Sequence, residues 1–258
     1  PPPPPSHFYK QKTAYEIMPR LAGSEMCIRV SLMTSCHPRR ACSKDGKVNG
    51  PDGPPLVAVL DYGIGNLRSA QKGFERAGAD VRLTSDPALI ADAAGVVLPG
   101  VGHFGACMRE LRAAKLDELA LAAIESDIPF LGICVGMQML FEGSEEAPGV
   151  EGLGVLPGVA RRLPDGLTRP QMQWNQLDIR VPGCQLLEGI EDGTWMYFVH
   201  SYAVETQPEL VVATCEYGID VTAMIGRGSL WATQFHPEKS GDNGRVITKN
   251  FLNQLTSS

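Results

Sequence analysis

Three short apolar runs that close on glycine constrain what this chain can fold into. Leu56-Val57-Ala58-Val59-Leu60 ends at Asp61-Tyr62-Gly63, Gly95-Val96-Val97-Leu98-Pro99-Gly100 is apolar throughout, and Ile128-Pro129-Phe130-Leu131 runs into Gly132. Unbroken apolar runs of this length read as strands buried on both faces, the kind found in parallel sheets with helical cover. Helical patterns lie between them. Leu67, Ala70, Phe74 and Ala77 share one face of a helix that Asn66 is placed to cap and Gly78 to end. Val81 to Thr84 predicts a further strand, residues 104–124 a long helix, and Met137 to Glu142 another. Such alternation demands right-handed crossovers. The expected fold class is therefore α/β: a three-layer, open, mostly parallel sheet with helices on both faces.

The second half is richer in strand. Segments 154–163, 173–181, 194–204, 210–217 and 221–225 predict an added antiparallel strand region. A Gly226-Arg227-Gly228 turn then leads into Ser229 to Phe235 as a hairpin, and a closing helix is expected over 243–255. Open sheets of this type form their sites at the carboxyl ends of strands, which directs attention to the glycine-rich loops after the first, third and fourth strands.

Residues 1–54 have a different character. Pro1 to Pro5 is a polyproline run, Lys44 to Pro55 is polar and rich in Gly and Pro, and no apolar period is sustained between them. Lys10 to Ile17 looks like a translated sequencing flow-cell primer, and Gly23 to Arg29 like the matching transposase adapter. About residues 9–29 are thus expected to be a library artefact within a disordered or artefactual extension, with the folded domain over 55–258. Cys27, Cys36 and Cys42 carry no functional weight on that reading.

Composition narrows the function classes. The net charge of -6 gives no basic footprint for nucleic acid, and no run is long and apolar enough for a membrane span. Seven scattered cysteines, an odd number with no CxxC pair, argue for a reducing compartment rather than a disulfide framework or a metal site. With no secretory leader pattern, the expectation is a cytoplasmic protein that uses no metal or cofactor.

The chemistry concentrates at Gly132-Ile133-Cys134-Val135-Gly136, which follows an apolar strand and opens a helix. That is a nucleophile elbow with cysteine as nucleophile. A helix N-terminus favours thiolate over thiol, and the Val135 N–H is positioned to bind an oxyanion. Downstream, His236-Pro237-Glu238 follows the strand that ends at Phe235. In extended backbone, residues two apart face one side, so Glu238 can orient His236 while the imidazole shuttles the thiol proton. Pro99-Gly100-Val101-Gly102 can supply a second oxyanion N–H at the Val101-Gly102 peptide.

Together these pieces resemble the class I (triad) glutamine amidotransferases over nearly all of the chain from Val57 onward. The resemblance implies a flavodoxin-like sheet and a Cys134, His236, Glu238 triad that releases ammonia from glutamine through a thioester. It also implies substrate-binding roles for Gln138 and Glu146, and for His200, Ser201 and Tyr202, whose backbone would meet the substrate carboxylate. Asp61 to Ser69, Trp174 to Leu177, Phe198 to Tyr202 and Gln234 to Ser240 look like the glutaminase subunits of imidazole glycerol phosphate synthase. In that family the partner is a (β/α)₈ cyclase subunit of histidine biosynthesis, and Asn66 and Lys239 would lie at the heterodimer interface.

One departure bears on the acceptor. Where the family often carries Pro-His-Met-Gly-Trp-Asn, this chain has Pro170-Gln171-Met172-Gln173-Trp174-Asn175. That leaves open a paralogous glutaminase feeding a different synthase. A non-catalytic scaffold is the reading from another class, and retention of Cys134, His236 and Glu238 together argues against it. Gln138 and Glu146 favour glutamine over a generic cysteine hydrolase.

Overall fold

A computed structural model describes residues 53–255. The extension that holds the polyproline run and the adapter-like stretch lies outside the described residues. The chain opens with β1 (Leu56–Leu60), α1 (Leu67–Ala77), β2 (Asp80–Thr84), α2 (Pro87–Ala91) and β3 (Gly95–Gly100). It continues through α3 (Phe104–Ala113), α4 (Leu116–Glu125), β4 (Phe130–Cys134) and α5 (Val135–Met139). Short strands β5 (Gly143–Ser144) and β6 (Gly158–Arg162) follow, then β7 (Gln171–Gln176), β8 (Asp178–Ile179), β9 (Trp195–His200) and β10 (Tyr202–Thr206). The chain closes with β11 (Val211–Glu216), β12 (Asp220–Arg227), β13 (Leu230–Thr233) and α6 (Gly241–Leu255).

The main sheet has the order β2-β1-β3-β4-β13-β12-β11-β8. β2, β1, β3, β4 and β13 run parallel, and the last three strands add on antiparallel. The expected α/β class, mostly parallel core and added antiparallel region are all present. The chain steps outward from β1 to β2 and then returns past β1 to β3. Right-handed crossovers therefore put α1 on one face and the α3–α4 connection on the other. α1 packs with α6, and α3 packs with α4 and α5. Two small sheets, β10-β6-β5 and β7-β9, complete the fold.

The apolar runs behave as their composition dictates. Val57 to Leu60 and Val96 to Leu98 are fully buried in the centre of the sheet. Phe251 of α6 is also fully buried and meets Phe74 edge-on at 5.7 Å and Trp231 at 6.4 Å. Phe251→Ala is expected to cost about 3–5 kcal/mol, the usual range for emptying an aromatic site in a core. A lower urea midpoint at unchanged slope would report it.

Several boundaries differ from the sequence reading. The helix expected over 104–124 breaks at Lys115, which takes a left-handed conformation (φ 56°) and starts α4 in a new direction. The strand expected over 194–204 breaks at Ser201, with β9 pairing β7 and β10 pairing β6. The segment 173–181 divides likewise into β7 and β8, which belong to different sheets. Gly226 and Arg227 stay inside β12, paired with Trp231 and Leu230, so the hairpin turns at Gly228-Ser229 instead. Asn66 occupies the N-cap of α1, but its side chain makes no capping bond; its carbonyl accepts from Ser69 and Ala70. α2 escaped the sequence reading, although Asp86 caps it and Pro87 begins it.

Candidate active site

β4 delivers Cys134 to the carboxyl edge of the parallel sheet, and α5 starts at the next residue. Cys134 has φ 55° and ψ −112°, a conformation that side-chain-bearing residues avoid, so the elbow is held under backbone strain. Close packing behind the turn imposes it. A Cβ at Gly136 would overlap the Leu98 carbonyl of β3, and one at Gly100 would lie 2.6 Å from the Gly136 nitrogen. The parallel register sets Gly100 beside Cys134, which brings the Val101-Gly102 loop next to that residue. Tyr62 donates to the Pro99 carbonyl at 2.6 Å, and the Cys107 thiol donates to the Val101 carbonyl at 3.3 Å. Val135, the first residue of α5, is buried.

β13 lies parallel to β4 on its other side, with Thr233 beside Ile133. This pairing carries the chain to His236 at the same sheet edge as Cys134. The strand ends at Thr233, and Pro237 to Lys239 form a 3₁₀ turn rather than extended backbone. That turn, not strand alternation, brings the Glu238 carboxylate to 2.8 Å from His236 Nδ1. Both side chains are nearly sealed from solvent, at 2% and 6% exposure. The His236 N–H donates to the Tyr197 carbonyl at 3.0 Å, and Ser240 Oγ donates to the His236 carbonyl at 2.7 Å. A carboxylate only accepts, so Nδ1 carries the proton. Nε2 is buried with no hydrogen-bond partner and is the nitrogen left to exchange one.

The electrostatics of the two buried histidines diverge. Burial alone would lower the pKa of His236, but the approach of the Cys134 sulfur and the bond to Glu238 outweigh it and raise the ring to about 9. His200 goes the other way, to about 4, because burial dominates, the Tyr202 carbonyl opposes it only partly, and the charge of His236 adds to it. One imidazole can therefore hold a proton near neutrality while its neighbour stays uncharged.

The residues assigned to substrate are distributed around this edge. Gln138 is buried one turn beyond Cys134 and donates from Nε2 to the Tyr202 carbonyl at 2.9 Å and to Gln234 Oε1 at 3.0 Å. Glu146 is half-buried, and its Oε2 accepts from the Phe104 N–H at the start of α3 at 2.6 Å. His200 Nδ1 lies 3.0 Å from the Tyr202 carbonyl. Ser201, at the break between β9 and β10, accepts at its carbonyl from Leu163. Gln234 was not singled out in the sequence, yet it is fully buried and its Nε2 lies 3.6 Å from Cys134 Sγ. Its signal was available: a glutamine placed between a buried strand and the apolar Phe235 has to find hydrogen-bond partners for its amide.

The glutamine amidotransferase class-I family profile matches residues 58–255. This chain belongs to the class-I glutamine amidotransferase family. Among similar curated proteins is the imidazole glycerol phosphate synthase subunit HisH of Methanothermobacter thermautotrophicus, 49% identical over 197 residues. That match covers 76% of this chain and 98% of the relative. The protein of the same name from a Synechococcus species is 52% identical over 201 residues, covering 76% of this chain and 92% of the relative. A glutamine amidotransferase crystal structure superposes with a TM-score of 0.62 at 19% identity, over 77% of this chain and 98% of that one. The PurLQS structure from Thermotoga maritima gives 0.63 at 19% identity, over 78% and 98%. Likeness at that identity concerns the fold.

In this amidotransferase the residues expected at a partner interface sit at one end of α1 and in the 3₁₀ turn after His236. Asn66 is half-buried and Lys239 is exposed; the two elements touch where α1 meets Glu238 at Gly73. The departure at Gln171 and Gln173 divides between inside and outside. Gln171 is fully buried, with Nε2 on Cys215 Sγ at 3.7 Å and Oε1 unpartnered, whereas Gln173 is exposed. On the other face of β7, Met172 is 63% and Trp174 37% exposed, and Trp174 meets Tyr197 edge-on at 5.9 Å. Among the described residues, no helix is long and apolar enough to cross a membrane.

Proposed function

We propose that this chain is the glutaminase subunit of an imidazole glycerol phosphate synthase and makes ammonia for a (β/α)₈ cyclase partner in histidine biosynthesis. Cys134 Sγ, its proton already passed to His236 Nε2, attacks the side-chain amide carbonyl of glutamine. The oxyanion that forms is met by the N–H of Val135 and by the Val101-Gly102 peptide. His236 returns the proton to the leaving nitrogen, ammonia departs, and a glutamyl thioester remains on Cys134. Water activated by the same imidazole then releases glutamate. Glu238 keeps the ring in the tautomer this needs. Gln138 and Glu146, with the backbone of His200, Ser201 and Tyr202, hold the substrate. Asn66 and Lys239 face the cyclase.

The observation that carries this reading is the buried Nδ1 to carboxylate bond at 2.8 Å, which turns an unpartnered Nε2 free for Cys134. Relatives named as the synthase subunit, 49% and 52% identical to this chain, support the choice of acceptor. The cytoplasm suits a nucleophile that must stay reduced, and the four cysteines of the described residues are all free. The test is glutamate release by the purified protein with and without the cyclase. A large rise on adding the cyclase is expected, and no release with the cyclase present would overturn the reading. Stimulation by another synthase instead would identify the paralogue that the exposed Gln173 leaves room for.

Glu238→Ala separates orientation from proton transfer. It removes the acceptor at Nδ1 and lets the ring take either tautomer, so kcat is expected to fall about 10³-fold or more while KM changes little. Steady-state kinetics with the cyclase present would check this.

A further inference from the structure

Gln234 directly follows β13 with no exposure to solvent, and both ends of its amide are engaged. The direction of its bonds is fixed from outside. The Tyr202 carbonyl can only accept, so Gln138 must turn Nε2 toward it. The second hydrogen of that nitrogen points to Gln234 at 3.0 Å, which must present Oε1. Gln234 Nε2 is thereby aimed at Cys134 Sγ, 3.6 Å away, and Gln138 Oε1 is left to accept from a ligand. A backbone carbonyl, two buried amides and the nucleophilic sulfur thus form one directed chain.

Resting on the glutaminase reading above, we propose that Gln234 is a positioning residue that donates an N–H to the Cys134 sulfur and locks the Gln138 amide toward substrate. An N–H donor favours a sulfur that bears charge over one that bears a proton. It works beside His236, which receives the proton. The same side chain also sets which end of Gln138 substrate meets, coupling the attacking atom to the binding contact.

Two variants test this in the full chain assembled with its cyclase. Gln234→Met keeps the length of the side chain and removes both donor and acceptor. Gln234→Glu keeps an acceptor for Gln138 and offers the sulfur no N–H. Iodoacetamide alkylation, mapped to Cys134 by peptide mass spectrometry across pH, reads the sulfur, and KM for glutamine reads Gln138. The expected result is alkylation slowed about tenfold near neutral pH in both variants, with the acid limb of the profile moved to higher pH. KM is expected to rise about fivefold in Gln234→Met alone. Looser packing would slow alkylation equally at every pH and leave the limb in place. A Gln234→Met protein with the wild-type profile overturns the proposal, and that variant decides the matter if the buried charge of Gln234→Glu prevents folding. Wild-type complex that releases no glutamate defeats the glutaminase reading instead, so the two failures are distinguishable.

Discussion

Cys134→Ala is expected to abolish glutamine-dependent product formation by the chain assembled with its proposed cyclase partner while leaving ammonium-dependent formation on that partner intact. Replacing the nucleophile of such a set costs about 10³-fold or more, and the residual rate from binding and oxyanion contacts is small. Alanine fits the site, because Cys134 is buried on the sheet and loses only one atom. The strained φ of 55° does not depend on sulfur, and alanine should tolerate it as cysteine does. Paired assays with glutamine and with ammonium chloride read both halves of the outcome. A variant that kept its glutaminase rate would place the nucleophile elsewhere.

His236→Ala should be nearly as damaging to glutamate release, by about 10³-fold or more, because thiol deprotonation and ammonia protonation lose their shared group. It also makes a prediction about stability. The folded pKa of His236 is raised from 6.5 to about 9. Its contribution is therefore fully present below about pH 6.5 and is lost as pH rises through about 9. Urea midpoints at about pH 6 and about pH 10 should fall further for the wild type than for His236→Ala across that interval. Equal declines would mean that the imidazolium is not held by Cys134 and Glu238 in the folded protein.

Much of the fold was legible in sequence because a parallel sheet writes its central strands as unbroken apolar runs. β1 and β3 fall where Leu56 to Leu60 and Gly95 to Gly100 place them. Most of what escaped was decided by three-dimensional packing, although α2 carried a signature in Asp86-Pro87. Lys115 enters the left-handed region with neither Gly nor Asn to mark the break, and only the five-residue step from Leu111 to Leu116 in the apolar period hints at it. Ser201 divides two strands that read as one because both halves keep strand composition. The elbow at Cys134 announced itself through Gly132 and Gly136. The pairing of His236 with Glu238 was foreseen for a reason that proved wrong, a 3₁₀ turn doing what extended backbone was expected to do. Gln234 shows the remaining limit, since a buried amide is visible in sequence only as a polar residue out of place.

β9 has a further consequence. Its Tyr197 ring meets Trp174 edge-on, and Trp174 stands partly open on the outer side of the two-stranded ribbon. The backbone of the same residue accepts from the His236 N–H and donates its own N–H to Ser240 Oγ, and two residues on, the Val199 carbonyl lies 3.9 Å from Cys134 Sγ. His236 and Cys134 therefore both lean on the backbone of β9, the strand that also carries Tyr197. The ribbon therefore has two sides of different character, with Trp174 and Tyr197 turned outward and the contacts to His236 and Cys134 turned inward.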